Sequence, residues 1–265
     1  MRMNALAWRH GILLLAAACL LALTALHGPI PQPASYHQFA DARSLWGMPN
    51  AWNVLSNLPF AIVGAWGLLQ LSRTQPAILF RAPWERWPWR LFFLGVTLTT
   101  FGSSYYHWAP DNARLLWDRL PMTVAFMGLL TAIVAERVSV RWARRLFVPF
   151  LALGIGSAVY WYITERAGHG DLRAYVILVQ GGSLVAILLM MLLYPARTGG
   201  TGMLCGALGL YVVAKVFEEA DHSIFLHGAS IGGHCLKHLA AAAAVGVLAT
   251  RLRHLGVECK QGAER

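Results

Sequence analysis

Eight apolar stretches, each long enough to cross a lipid bilayer, restrict what this chain can fold into. A hydrocarbon core of roughly 30 Å needs about 20 mostly apolar helical residues. Hydrophobic residues make up 57% of the 265 positions and charged residues 13%, which leaves more apolar surface than a water-soluble core could bury. The sequence therefore predicts an all-α, polytopic membrane bundle with spans at 10–27, 54–72, 89–107, 115–135, 146–164, 174–194, 203–221 and 230–250.

The basic residues between these stretches indicate how the chain is oriented. Fifteen lie on one side of the alternating topology, and Arg137, Arg141, Arg144 and Arg145 are among them, whereas five lie on the other side. Lys and Arg in short connections accumulate on the cytoplasmic side of a membrane. We therefore expect both termini in the cytoplasm, an arrangement that eight spans satisfy and seven do not.

The first stretch allows two interpretations, because Arg2 and Arg9 followed by an apolar run are typical of both signal anchors and secretory signal peptides. The proline-rich residues 27–33 make a poor cleavage site and favour a retained anchor, although Pro33-Ala34-Ser35 leaves cleavage open. We divide the chain into an N-terminal signal-anchor helix and linker (1–35), a seven-span core domain (36–252) and a cytoplasmic tail (253–265).

Two other classes of protein are disfavoured by the composition. The formal net charge of +10 does not indicate nucleic-acid binding, because the basic residues lie between apolar runs rather than among aromatic residues on a polar stretch. The four cysteines form no close pair and no C-x-x-C motif, so we expect no disulfide framework.

Polar residues that could form a site lie at the ends of three stretches. The third stretch ends with Ser103 and His107, the fourth contains Asp118 near its start, and the last opens with His234 and His238. Since odd and even spans run in opposite directions, all five residues should lie at the outer face of the membrane. Polar side chains within spans are costly and commonly mark functional sites.

These five residues fit a catalytic zinc site. His234 and His238 are four residues apart and share one helix face, and with His107 they offer three nitrogens, which leaves a fourth position open for water. Asp118 is placed to take the proton of a water whose pKa the metal has lowered. Ser103, one turn before His107, either orients that water, donates to a developing oxyanion, or only permits close helix packing. Ser104 is an alternative to Ser103.

The remaining polar residues near this face have less specific interpretations. The group Glu218, Glu219, Asp221 and His222 either lines the site or marks the water interface, and His222 is a weaker candidate ligand. We expect Lys215 to pair with an acid such as Glu219. Lys237 is expected to face away from the two histidines and extend to the interface.

The order and spacing of the site residues resemble those of the alkaline ceramidases. That family belongs to a superfamily of seven-helix membrane hydrolases and hydrolase-like receptors that includes the adiponectin-receptor-like proteins. The likeness extends from about residue 36 to 250, and residues 49–58 resemble the N-T-x-S-N-L segment that opens the family's first core helix. The motif itself is carried by Gly102, Ser103, His107, Asp118, Leu120, Pro121, Met122, His234 and His238.

The resemblance implies that zinc is held by His107, His234 and His238, and that Asp118 and Ser103 bind the catalytic water or polarise the amide. The implied activity is hydrolysis of the linear amide bond of ceramide, a lipid substrate taken from the bilayer, to a sphingoid base and a fatty acid. The likeness is closest to bacterial members, which implies the bacterial inner membrane.

Two other functions are alternatives to this expectation, and the sequence departs from the pattern of the animal ceramidases in one respect. A zinc-containing membrane receptor without turnover is the main alternative, and a transporter is the second, although few polar residues continue towards the cytoplasmic face beyond Lys215. Animal ceramidases carry an acidic calcium-binding cluster before the first core helix. Here Asn50 replaces one of its glutamates and only Asp41 is acidic nearby, so Ca²⁺ is not expected.

Overall fold

The computed structural model describes residues 2–73, 80–196 and 199–263, and these form helices and connecting loops without a β-strand. The α-helices are α1 (Arg2–Leu26), α2 (Ala51–Leu55), α3 (Leu58–Arg73), α4 (Arg86–Trp108), α5 (Asn112–Ile133), α6 (Val140–Arg166), α7 (Gly182–Leu193), α8 (Thr201–Glu219), α9 (Asp221–Leu226) and α10 (Gly233–Ala263). Single-turn 3₁₀ helices occur at Ala34–His37 and Pro83–Glu85, and π-helical segments at Val134–Val138 and Ala174–Gly181.

Seven helical segments of the described chain are long and apolar enough to cross a membrane. They confirm the predicted all-α polytopic bundle and coincide with seven of the eight predicted stretches. Their bounds are Ala7–Leu26, Ala51–Arg73, Asn112–Val138, Val140–Arg166, Ala174–Leu193, Thr201–Glu219 and Gly233–Leu255.

The helix α4 covers the eighth predicted stretch but is not among those seven. It is as long as the others, and its shortfall is in apolarity, because the side chains of Thr99, Thr100, Ser103 and His107 lie along it. All four are buried within the bundle, where α4 packs between α3 and α5. That α4 spans the membrane therefore stays a prediction.

Small residues set the distance between α4 and α5. A Cβ on Gly102 would lie 2.1 Å from the carbonyl oxygen of Trp117, and one on Gly95 would lie 2.7 Å from the amide nitrogen of Ala125. Helices that approach this closely depend on glycine at the contact. The close contact brings the face of α4 that carries Ser103 against the start of α5.

The helix α1 lies at the periphery of the bundle, against α7 and the π-helical segment before it. Arg173 ties its end to the bundle by donating from Nη1 to the carbonyl oxygen of Thr24 at 3.2 Å and to that of His27 at 2.5 Å. The helix α1 thus flanks the other helices of the bundle, and the division of the chain into an anchor, a core domain and a tail stays a prediction.

Buried charges join three elements at one end of the bundle. Arg251 of α10 donates to Glu136 at 2.7 Å, and Arg137 donates to the hydroxyl of Thr201, the first residue of α8, at 2.8 Å. The helix α10 runs past this cluster to Ala263, so the predicted tail from 253 continues the last helix for most of its length. The histidines lie at the opposite end, which we call the histidine end.

Candidate metal centre

Three imidazole rings meet at the histidine end of the bundle. His107 is the penultimate residue of α4, and His234 and His238 occupy the first two turns of α10. The ring centroids are 4.9 Å apart for His107 and His234, 5.0 Å for His107 and His238, and 4.9 Å for His234 and His238. One nitrogen from each ring lies within 4.8 Å of the others, and all three residues are buried. The structure thus brings together the three residues predicted to bind a metal.

Asp221 fixes the start of α10. Its Oδ1 accepts a hydrogen bond from the amide of His234 at 2.8 Å, and its Oδ2 accepts one from the amide of Ala40 at 2.9 Å. A Cβ on Gly232 would lie 2.6 Å from Asp221 Oδ1, so glycine is needed where the chain enters the helix. One carboxylate therefore caps the helix that carries two histidines and also holds the linker before α2.

The tautomer of His238 follows from its neighbours. Its Nδ1 lies 2.7 Å from the hydroxyl oxygen of Ser56, and that hydroxyl donates to the carbonyl oxygen of Asn53 at 3.0 Å. A hydroxyl has one proton to donate, so Nδ1 of His238 must be the donor in its contact with Ser56. Nε2 is then left unprotonated, with a lone pair for a metal.

The surroundings of His107 also fit a metal ligand. Its Nδ1 is a buried nitrogen without a hydrogen-bond partner among the described residues, and such atoms are rare unless an unseen group satisfies them. The Phe39 ring covers His107 and His234, with centroid distances of 4.7 and 4.6 Å. Three imidazoles in a buried, aromatic enclosure suit zinc and other metals that prefer nitrogen ligands.

Asp118 and Ser103 lie next to this group. Both are buried, the Ser103 hydroxyl lies beside the carboxylate of Asp118, and both line a cavity of about 330 Å³ together with His238. Ser104 instead donates to the carbonyl oxygen of Val54 at 3.3 Å. Of the two serines left open by the sequence, Ser103 is therefore the one at the cavity.

The prediction for Lys237 was wrong. Its Nζ lies 2.8 Å from Oε1 of Glu218 and 3.2 Å from Nε2 of His234, and it lines the cavity instead of extending to the interface. The physical reason is that residues three apart on a helix are neighbours as well as those four apart. Lys237 follows His234 by three positions and therefore shares its side of α10.

The residues predicted as one acidic group at the end of α8 have different surroundings in the structure. Glu218 lines the cavity and pairs with both Lys215 and Lys237, so Lys215 does pair with an acid, although that acid is Glu218 and not the Glu219 given as the example. His222 is exposed, and its Nε2 lies 3.1 Å from the carbonyl oxygen of Gln38. It does not belong to the group of three histidines.

Arg119 is a residue at the cavity that the sequence interpretation missed, because it was counted only among the basic residues of the outer side. It is 5% exposed, donates from Nη2 to Oε1 of Gln32 at 2.5 Å, and lies 4.0 Å from the ring centroid of Trp161. An arginine inside an apolar span, directly after the candidate catalytic Asp118, was the signal available in the sequence.

A loop outside the spans positions the linker on the other side of this cavity. Hydrogen bonds from Arg173 to Asp171 hold the pKa of that carboxyl at about 2, below its ordinary value of 3.8. Asp171 Oδ1 accepts a hydrogen bond from the amide of Arg173, and the amide of Leu172 donates to the carbonyl oxygen of Ile30 at 2.8 Å.

A second cavity of about 160 Å³ continues the first into the interior of the bundle. Its walls are almost wholly apolar and come from α3, α4, α5, α7, α8 and α10. The two cavities share Phe60, Thr99, Met122, Tyr211 and Ala241. A polar compartment beside the histidines therefore adjoins an apolar one.

No model of a known protein family matches this chain, and no curated protein is recognisably similar to it in sequence.

Proposed function

We propose that this protein is an intramembrane zinc-dependent hydrolase that cleaves the amide bond of ceramide or a related N-acyl lipid to an amino base and a fatty acid. The observation that carries the proposal is a group of three buried histidines, one of which, His238, lines the same cavity as Ser103 and Asp118, next to a second and almost wholly apolar cavity. The alternative is a zinc-containing membrane receptor or signalling protein without turnover.

Zinc would be held by His107, His234 and His238. When bound, it supplies an acidified water and a Lewis acid for the amide carbonyl. The protein supports this chemistry by fixing its ligands, since Ser56 selects the tautomer of His238 and Asp221 caps the helix that carries His234. All three rings are buried, and the neutral imidazole is the form that binds metals.

Asp118 acts as the general base in this proposal. Its carboxylate is outside the group of three clustered ligands, so it is free to take a proton from water and later return it to the amine that leaves. Ser103 lies beside this carboxylate and is proposed to orient it. A positioned acid or base of this kind contributes roughly 10²- to 10⁴-fold to a rate.

The two cavities suit a lipid amide. The apolar cavity accepts part of an acyl chain, while the polar one accepts the headgroup and places the amide between Asp118 and the histidines. A substrate that stays within the bilayer reaches such a site without being extracted into water. Binding pockets for small molecules are commonly apolar with a few polar groups that fix orientation.

The proposed location is the bacterial inner membrane, with both termini in the cytoplasm and the histidine end outside. The uneven distribution of basic residues supports this orientation. Calcium is left out of the proposal, because Asp41 is buried and both its oxygens accept hydrogen bonds from the cationic Arg43.

The test is zinc content and ceramide turnover on one detergent-purified sample of the wild type and of His238→Ala. We expect about one zinc per chain and release of fatty acid, and loss of both in the variant. Ser104→Ala is the matched control, because that serine contacts only the backbone of α2. Zinc without turnover of any N-acyl lipid would favour the receptor, and absence of zinc from the wild type would refute the metal centre.

A further inference from the structure

Arg119 is a buried cation without an acidic partner at contact distance. No carboxylate among the described residues lies within 4.0 Å of its guanidinium, whereas other buried arginines such as Arg137 and Arg251 do form ion pairs. Removing a charge from water is costly unless an opposite charge or hydrogen bonds compensate for it. Arg119 directly follows Asp118 in the sequence and lines the same cavity, so its uncompensated charge lies next to the candidate catalytic residue.

The contacts that Arg119 does make leave part of the guanidinium unsatisfied. Its Nη2 donates to the neutral side chain of Gln32, but its Nη1 is buried and has no hydrogen-bond partner among the described residues. The rings of Trp161 and Tyr175 lie 4.0 and 4.9 Å from the guanidinium carbon. Such cation–π contacts fix the orientation of the group but offset only part of the cost of burying its charge.

The charges that line the polar cavity are unbalanced. Glu218 is shared by Lys215 and Lys237, and Asp118 is engaged by Ser103. Three cations thus face two carboxylates among the described residues that line this cavity. One additional negative charge would balance the charges that line the cavity. Of the three cations, Arg119 is the one with a buried donor nitrogen, Nη1, that has no hydrogen-bond partner among the described residues.

We propose that Arg119 and Gln32 form a subsite for an anionic oxygen group, a carboxylate or a phosphate, on the headgroup of the lipid substrate. This inference rests on the proposed function and gives its substrate class: N-acyl lipids with an acidic headgroup are preferred to neutral ceramide. A guanidinium binds such groups through two parallel hydrogen bonds. The cavity that Arg119 lines also contains His238 and Asp118, so headgroup and amide occupy one compartment.

The experiment compares two amides that share an acyl chain, N-palmitoylglycine with an acidic headgroup and N-palmitoylethanolamine with a neutral one. Zinc-loaded wild type should hydrolyse the acidic lipid with a kcat/KM at least about 10-fold higher, as expected for a charge-assisted hydrogen bond. Arg119→Gln should lose about 10- to 100-fold on the acidic lipid and change less than about 3-fold on the neutral one. Arg119→Lys, which keeps the charge, should retain part of the preference.

Binding of both lipids, measured by calorimetry on the same samples, separates this inference from the proposed function. Selective binding of the acidic lipid that Arg119→Gln removes would support the subsite even if no lipid is hydrolysed. Turnover without preference for the acidic lipid, or an equal loss on both lipids in Arg119→Gln, would overturn the subsite and leave the hydrolase intact.

Palmitate tests the other source of a carboxylate, the fatty-acid product. Inhibition by palmitate that depends on Arg119, combined with equal kcat/KM values for the two amides, would assign the subsite to the product and refute a headgroup role. Palmitate inhibition that is the same in wild type and Arg119→Gln is the result expected for a headgroup subsite.

Discussion

The hydroxyl of Ser56 carries a single proton, and that proton is donated to the carbonyl oxygen of Asn53. The nitrogen of His238 that faces Ser56 must therefore hold its own proton. An uncharged side chain outside the histidine group thus determines which nitrogen of a ligand is free. Such supporting hydrogen bonds fix the ring orientation and raise the affinity of a metal site.

Removal of this hydroxyl tests the tautomer assignment. Ser56→Ala should lower zinc affinity by about 10- to 100-fold, because the His238 ring loses the acceptor that orients it. Competition with a chromophoric chelator measures the affinity, and Ser104→Ala serves as the control on the adjacent helix. Unchanged affinity in Ser56→Ala would show that the hydrogen bond does not orient the ligand.

Asp118 distinguishes catalysis from a purely structural metal. Asp118→Asn keeps the shape of the side chain but removes the base, so we expect turnover to fall by about 10²-fold or more while zinc content stays at the wild-type level. Metal analysis and fatty-acid release on the same sample measure both. Turnover close to that of the wild type would exclude Asp118 as the base.

Most of the site's residues, but not all of their contacts, could be predicted from the sequence. The spacing of His234 and His238 and the depth of His107 and Asp118 follow from helix periodicity and alternating topology. The pairing of Lys237 with Glu218 and the burial of Arg119 depend on which helices are neighbours. A one-dimensional pattern does not contain that information, because the linker and α8 supply the other side of each contact.

The contact between α4 and α5 sets the geometry of the site at the level of whole helices. It is close because Gly102 faces the carbonyl oxygen of Trp117, and it places Ser103 against Asp118. The boundaries of these helices were predicted to within a few residues. Their separation was not, because glycine in a span is consistent with many packing distances.

A methyl group at this contact should separate the helices. Gly102→Ala puts a Cβ about where the Trp117 carbonyl lies, so we expect a loss of about 1–3 kcal/mol in stability together with a marked loss of turnover. The control is Gly156→Ala in α6, where a Cβ would meet nothing within 4 Å. Thermal unfolding in detergent and activity assays compare the two variants, and equal behaviour would contradict the close contact.

Two chemically different ends characterise the whole molecule. The histidine end contains the polar cavity and the candidate metal centre, and the other end contains the buried cluster of Glu136, Arg137 and Arg251. Arg137 and Arg251, two of the basic residues predicted to be cytoplasmic, lie at the second end. Alternating topology predicted this separation, whereas the position of α1 at the periphery could not be predicted from its own sequence.

Cysteine labelling in intact cells tests the orientation. In a variant without native cysteines, Ala167→Cys at the histidine end should react with a membrane-impermeant maleimide before lysis. Ala82→Cys, in the loop before α4, should react only after lysis. The opposite pattern would place the candidate metal centre on the cytoplasmic side and contradict the orientation inferred from the basic residues.

Asp221 joins the linker at Ala40 to the first turn of α10 at His234. Coupling between two sites is reciprocal in free energy, so a metal ion whose binding to the histidines orders the linker would in turn be bound more tightly when the linker is already ordered. The segment between the N-terminal helix and α2 would then take part in the metal equilibrium. Proteolysis of that segment at the membrane surface should therefore weaken metal binding, although none of its residues belongs to the group of three histidines.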